Sequence, residues 1–164
     1  MKTKHFYFIL LVAIFSACNN NNPTLSTDSP YPGYVNMGLL SGTLWKENNE
    51  ENMCELAEAL ELYGDSLATV AQWEELYKHC TWTWKGNGYE VKGKNGNIIF
   101  LPAEGRYVLY YRKWEDVGKR GEYWTSTPHN NSYNYYAGFW SGGFYTDMFG
   151  AYTCKSIRCV KLNK

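Results

Sequence analysis

At 164 residues the chain has the length of one domain with room for appendages, and its 16 basic and 16 acidic side chains balance to a formal charge of zero. It carries no basic patch and no groove-like interleaving of basic and aromatic residues, so nucleic acid is not an expected partner. Aromatic side chains make up 18% of the residues, well beyond what a few core positions need, and their placement is the main functional question.

The chain starts with Lys2 and Lys4, an unbroken apolar run of ten, Phe6–Phe15, and then Ser16, Ala17 and Cys18. A basic, then apolar, then small-residue order is the layout of a secretory signal, and the run is too short to cross a bilayer as a helix. Residues 1–17 are therefore expected to be a signal peptide. Phe15-Ser16-Ala17-Cys18 resembles a bacterial lipobox with Phe in place of the usual Leu, which implies lipidation at Cys18. Residues 18–33 read as the lipidated Cys and a flexible linker, because "NNNNPTLSTDSPYPG" is polar and rich in Pro. Without the two lysines of the leader, 14 basic residues face 16 acidic ones. The expected location is the outer membrane, on its periplasmic or cell-surface face, with membrane contact through the lipid alone. The Asn run lacks the acidic residues that resemble a surface-export signal.

Residues 34–164 form the expected globular domain, with one modest core. "YVNMGLLSGTLW" (Tyr34–Trp45) reads as a strand, a Ser-Gly turn and a second strand. Glu51–Tyr63 places Met53, Leu56, Ala57, Leu60 and Tyr63 at helical spacing, with Gly64 as the stop. A second helix opens at Thr69, with Gln72 completing a capping box, and turns Val70, Trp73, Leu76 and Tyr77 to one side. "CTWTW", "GYEVKG" and "NIIFLP" follow as strands joined by Gly-Asn-Gly and Asn-Gly turns. Ala103–Gly121 reads as loop. Strands are expected around Glu122–Thr125, Tyr135–Trp140, Phe144–Met148 and Ser156–Leu162. Two early helices and a late antiparallel sheet make an α+β domain. Four cysteines remain for disulfides: Cys54, Cys80, Cys154 and Cys159. On one extended strand Cys154 and Cys159 would lie about 16 Å apart, too far to bond. Three pairings are possible; Cys80 ends one expected helix and Cys54 begins another, which favours a Cys54–Cys80 bridge, with free buried thiols as the alternative.

"GLLSGTLW", "QWEELYKHCTWTW", "GYEVKGKNGNIIFLPAEG", "YWTSTP" and "KSIRCV" occur in an order that resembles the Fibrobacter succinogenes major paralogous domain family of exported proteins of Bacteroides-like gut bacteria. The resemblance spans Tyr34 to Leu162 and implies a C-type lectin-like fold of two helices and twisted, mainly antiparallel sheets. Two departures stand out. "SLAT" (Ser66–Thr69) replaces the family's Arg-Leu-Pro-Thr, and Cys154 stands where the family has Gly before Lys155-Ser156-Ile157-Arg158. The resemblance implies no enzymatic activity.

The residues themselves offer little for catalysis. His79 and His129 are the only histidines beyond the leader, and neither has a Cys or His at ligand spacing. The carboxylate pairs Glu50-Glu51 and Glu74-Glu75 read as solvated faces rather than as glycosidase acids. The Glu-Pro-Asn and Trp-Asn-Asp motifs of calcium-dependent lectins do not occur, and no metal or cofactor is expected. Asp65-Ser66-Leu67 resembles a Bacteroides-type O-glycosylation site, making Ser66 a modification candidate beside the plain alternative of a turn.

Residues 107–152 hold 15 of the 29 aromatic residues, set among Asn, Ser, Gly and Thr. That composition is favoured in binding loops, where rings supply contact area at low entropic cost. Trp124, Phe139 and Trp140 suit a core, although Trp140 also belongs among the ligand-binding candidates Tyr133, Tyr135, Tyr136, Trp140, Tyr145 and Asp147. The expected partner is a glycan or a protein, held by a monomeric, non-catalytic domain. The alternatives are a structural or adhesin assembly module, or a target of diversity-generating retroelements, whose products the Asn- and Tyr-rich segment resembles.

Overall fold

The computed structural model describes residues 29–130, 133–150 and 152–163; the expected signal peptide, Cys18 and most of the linker lie outside them. The chain opens with strands β1 (Tyr34–Asn36) and β2 (Thr43–Lys46), joined through a turn in which Gly42 adopts φ 71°. Helix α1 (Leu56–Tyr63) begins later than helical spacing alone suggests. The backbone at Cys54 is already engaged: its carbonyl accepts the Lys155 N–H at 3.2 Å in an antiparallel bridge, so the chain enters the helix only after Glu55. Only Leu56 and Ala59 of α1 are buried, whereas the expected core positions Ala57 and Leu60 face solvent. Helix α2 (Val70–His79) carries the expected capping box, with the Gln72 N–H donating to Thr69 Oγ1 at 3.2 Å and the Thr69 N–H to Gln72 Oε1 at 2.8 Å. Its buried residues are Trp73 and Leu76, while Tyr77 lies 43% exposed.

Strands β3 (Thr81–Trp84), β4 (Gly88–Lys92) and β5 (Ile98–Pro102) form the expected antiparallel meander. The stretch read as loop contains a hairpin, β6 (Arg106–Val108) and β7 (Lys113–Glu115), which β11 (Thr153–Cys154) extends to three strands. Between them run the long strands β8 (Arg120–Asn130), β9 (Tyr133–Trp140) and β10 (Gly143–Gly150), paired in the order β10-β9-β8. Finally β12 (Val160–Leu162) pairs with β2, bringing the two ends of the domain together. Among the described residues the architecture is α+β, with two α-helices and largely antiparallel sheets. The expected single strand over Ser156–Leu162 is instead a run of isolated bridges followed by β12, so Cys154 and Cys159 do not share one continuous strand.

The central sheet β10-β9-β8 divides two apolar clusters, and strand alternation does the dividing. Tyr123, Ala137 and Phe139 pack with Trp45, Trp73, Leu76, Val91 and Leu101. Their sequence neighbours Trp124 and Tyr136 pack with Cys54, Leu56, Ala59, Ile157 and Cys159. Trp73 meets Trp45 edge-on at 4.8 Å, an arrangement aromatic quadrupoles favour, and lies tilted against Tyr123 at 5.1 Å. Arg158, only 1% exposed, donates to the carbonyls of Lys46 and Glu47 at 2.8 and 2.6 Å and to that of Phe100 at 2.7 Å. It thus ties the irregular segment before β12 to the end of β2 and to β5.

The four cysteines are free thiols. Cys54 belongs to the second cluster while Cys80 packs against the first, which separates the partners of the expected Cys54–Cys80 bridge. Burial pushes Cys54 and Cys80 up to about 11 and, aided by a hydrogen bond with Glu50, Cys159 up to about 12. These thiols are kept protonated and are poor nucleophiles.

Candidate functional site

Both faces of the central sheet are covered over much of its length, so its rings do not alternate simply between core and solvent. On the face opposite α2, Lys155 is fully buried within a cage of rings: its Nζ lies 4.1 Å from the Tyr136 ring centre, 4.9 Å from Phe149 and 5.2 Å from Trp124. Glu122 beneath it accepts from Lys155 through Oε2 and from Arg106 through Oε1, the latter at 3.2 Å. Arg106 also reaches Glu115 at 3.0 Å. Burial drives the Lys155 pKa down, and the Glu122 carboxylate opposes that shift. Burial, then the Glu122 charge, raises Tyr136 above its ordinary value. This cation–aromatic cage is filled by the protein's own lysine and was invisible in the sequence, because Glu122 and Lys155 are 33 residues apart.

The ligand-binding candidates therefore separate. Tyr136, 4% exposed, belongs to the lysine cage and not to the surface, a correction to the expectation. Tyr145 is half-buried; its ring lies over Gly138, 5.9 Å from Tyr136 and 5.6 Å from Trp140. Tyr133 is 44% exposed near the far end of β9. The Tyr135 hydroxyl meets His129 Nδ1 at 3.0 Å, so His129 is engaged rather than simply solvated. Asp147 is exposed, and its Oδ1 accepts the N–H of Met148 at 2.8 Å. The fold does not gather these six residues into one surface. Ser66 lies half-buried in a short 3-10 turn, Gly64–Ser66, beside exposed Asp65. His79 closes the last turn of α2.

Of the six, Trp140 lines a cleft. At the β9–β10 turn, 42% exposed, it faces a cleft of about 420 Å³ together with Trp84 from the end of β3, Asp116 and Lys119 from the turn before β8, and Arg120 at the start of β8. Tyr89 fixes both aromatic walls: its hydroxyl donates to the Trp140 carbonyl at 3.0 Å and its ring packs edge-on against Trp84 at 5.1 Å. A Cβ at Gly142 would come within 2.5 Å of Trp140 Nε1, so the absence of a side chain there lets the indole fold back over the turn. The polar wall is equally anchored. Asp116, at φ 58°, accepts the backbone N–H groups of Lys119 and Arg120 at 2.9 and 3.0 Å, and the Gly118 N–H donates to Ala103 at 2.7 Å. Asp116 Oδ2 and Arg120 Nε stand 3.6 Å apart across the turn. Sequence reasoning missed Trp84, Asp116, Lys119 and Arg120, which come from a different sheet and from a stretch read as loop. The two Trp at alternate positions in "TWTW" were the available signal, since one face of that strand needed a partner.

The arrangement presents two indoles, a carboxylate, a guanidinium, an ammonium and the Ser141 hydroxyl around one opening. It has donors and acceptors for hydroxyl groups and apolar faces for C–H surfaces, but no nucleophile held by a base. Among the described residues no group of His, Cys, Asp and Glu is placed to hold a metal ion, and no helix is long and apolar enough to cross a membrane. Comparison with family models, curated proteins and solved structures finds no match for this chain.

Proposed function

We propose that the protein is an envelope-anchored lipoprotein whose C-type lectin-like domain recognises a glycan, without catalysis, at the Trp84–Trp140 cleft. The observation that carries the reading is the pairing of two anchored indoles with Asp116 and Arg120 around a single opening. A pyranose offers a C–H face to an indole and equatorial hydroxyls to a carboxylate or guanidinium, so one ligand class uses both halves of the cleft.

A glycan array probed with the purified protein tests the proposal. Specific sugar binding that Trp140→Ala and Trp84→Ala abolish supports it; binding that survives both variants refutes the site, and hydrolysis of a bound glycan refutes the non-catalytic role. A packing module is a second reading with one observation in its favour: β10 is an edge strand whose Met148 and Phe149 are 47% and 37% exposed. Self-association lost on charging Met148 is its signature. For the anchor, Cys18→Ala is expected to release the protein from membranes, and unchanged membrane association contradicts lipidation.

A further inference from the structure

A second and larger cleft, of about 760 Å³, lies on the outer face of the β11-β6-β7 sheet. Strand register explains its lining. Cys154 pairs with Tyr107 and Tyr107 with Trp114, so these three residues form one row across the sheet and face the same way. Tyr107 and Trp114 meet edge-on at 5.3 Å, and Trp114 remains 55% exposed. Met53 and Val117 supply the apolar flanks, and Glu51 and Glu104 supply the charge. Glu104 accepts from Asn49 at 2.7 Å and from Ser156 at 2.6 Å, both through Oε2, leaving Oε1 without a hydrogen bond among the described residues.

The same register removes every base from this face. Arg106, Lys113 and Lys155 each adjoin one member of the row in sequence, so alternation sends all three to the opposite face. There they are occupied, Arg106 with Glu115 and Glu122, Lys113 with Glu115 at 2.9 Å, and Lys155 with Glu122. The cleft thus combines aromatic faces, apolar walls and two carboxylates with no lysine or arginine in its lining. A hydrated metal ion would find little use for the apolar and aromatic surface. An alkylated ammonium group uses all of it: its methyl or methylene surface packs on the walls while its charge meets ring faces and carboxylates.

We infer that the Tyr107–Trp114 cleft binds a ligand carrying an alkylated ammonium group. This site is separate from the Trp84–Trp140 cleft and does not depend on the glycan reading. The test is titration of the purified protein with choline, with its neutral isostere 3,3-dimethylbutan-1-ol as the comparison, followed by tryptophan fluorescence and by NMR. Choline binds saturably and about fivefold or more tighter than the isostere, since the charge is what the rings and carboxylates select. Trp114→Ala weakens choline about tenfold, and Glu51→Gln at the rim weakens choline while leaving the isostere unchanged. Trp140→Ala in the other cleft leaves choline binding intact, which distinguishes failure here from failure of the glycan site. Equal affinity for the isostere, insensitivity to Trp114→Ala, or no saturation by choline overturns the inference.

Discussion

Replacing Glu122 with Gln isolates the energetics of the lysine cage. The Glu122 side chain is 1% exposed and serves two cations with unequal alternatives. Arg106 is 23% exposed and keeps Glu115 at 3.0 Å, so it loses little. Lys155 is 0% exposed and has no other carboxylate in contact among the described residues, so its charge is left uncompensated. Removing one member of a buried pair costs about 3–5 kcal/mol. The three rings around Nζ remain and offset part of this, at about 0.5–2 kcal/mol for a desolvated cation–aromatic contact. The expected net loss is about 3 kcal/mol, or roughly 10 °C in Tm for a domain of this size. Urea denaturation at neutral pH measures it directly, with an unchanged m-value as the control on two-state behaviour. Adding Lys155→Met to Glu122→Gln removes the orphaned charge, so the double variant is more stable than the single one. The sign with pH is also fixed: burial holds the Lys155 pKa below its ordinary value, so stability tied to that group is lost as pH falls through its folded pKa and is regained toward the unfolded pKa near ~10.4. Relative to wild type, Glu122→Gln therefore gains stability from neutral pH toward pH ~10. A loss below about 1 kcal/mol, or a double variant no better than the single, refutes the cage as an energetically coupled unit.

Other expectations concern the thiols and the packing. The raised thiol pKa values mean that the fold favours the neutral form; stability is complete below the ordinary value of 9.0 and is lost as pH climbs through about 11 to about 12. Denaturation under reducing conditions shows that decline, and Cys159→Ala makes it shallower; an identical slope contradicts the assignment. At Gly121 an added Cβ would overlap the Phe139 ring, which is fully buried and cannot withdraw, so Gly121→Ala costs about 1–3 kcal/mol by overpacking. Thermal melting of that variant checks the sheet register, because a shifted β8 would tolerate the methyl group. Thr69→Ala removes the cap of α2 and lowers stability by about 1 kcal/mol; no change would show that Gln72 alone suffices.

Local signals were legible where one element's sequence decided its own shape. The Thr69–Gln72 box, the Gly-Asn-Gly and Asn-Gly turns and the strand at "GYEVKG" all appear as read. What the sequence withheld depends on partners far along the chain. Helix α1 starts late because the Cys54 backbone is claimed by Lys155, 101 positions away, which no helical periodicity records. The β6–β7 hairpin was hidden because its strands are three residues each and its turn is marked by Arg112 at φ 50° rather than by glycine. Tyr136 looked like a surface residue only because the charge that fills its ring face, Lys155, comes from another element. The aromatic richness of the C-terminal segment was correctly seen as unusual, but three of its rings, Trp124, Tyr136 and Phe149, enclose a lysine of the chain itself. Trp140 lines one cleft, beside a tryptophan from the earlier meander, and Tyr107 and Trp114 line the other.

The most direct test of the account is glycan-array binding by the wild-type protein beside Trp84→Ala and Trp140→Ala, with melting temperatures recorded for all three. The account predicts selective binding to a restricted set of saccharides that either substitution removes while the fold is retained. Binding that persists in both variants, or a wild-type protein that retains no saccharide, contradicts it.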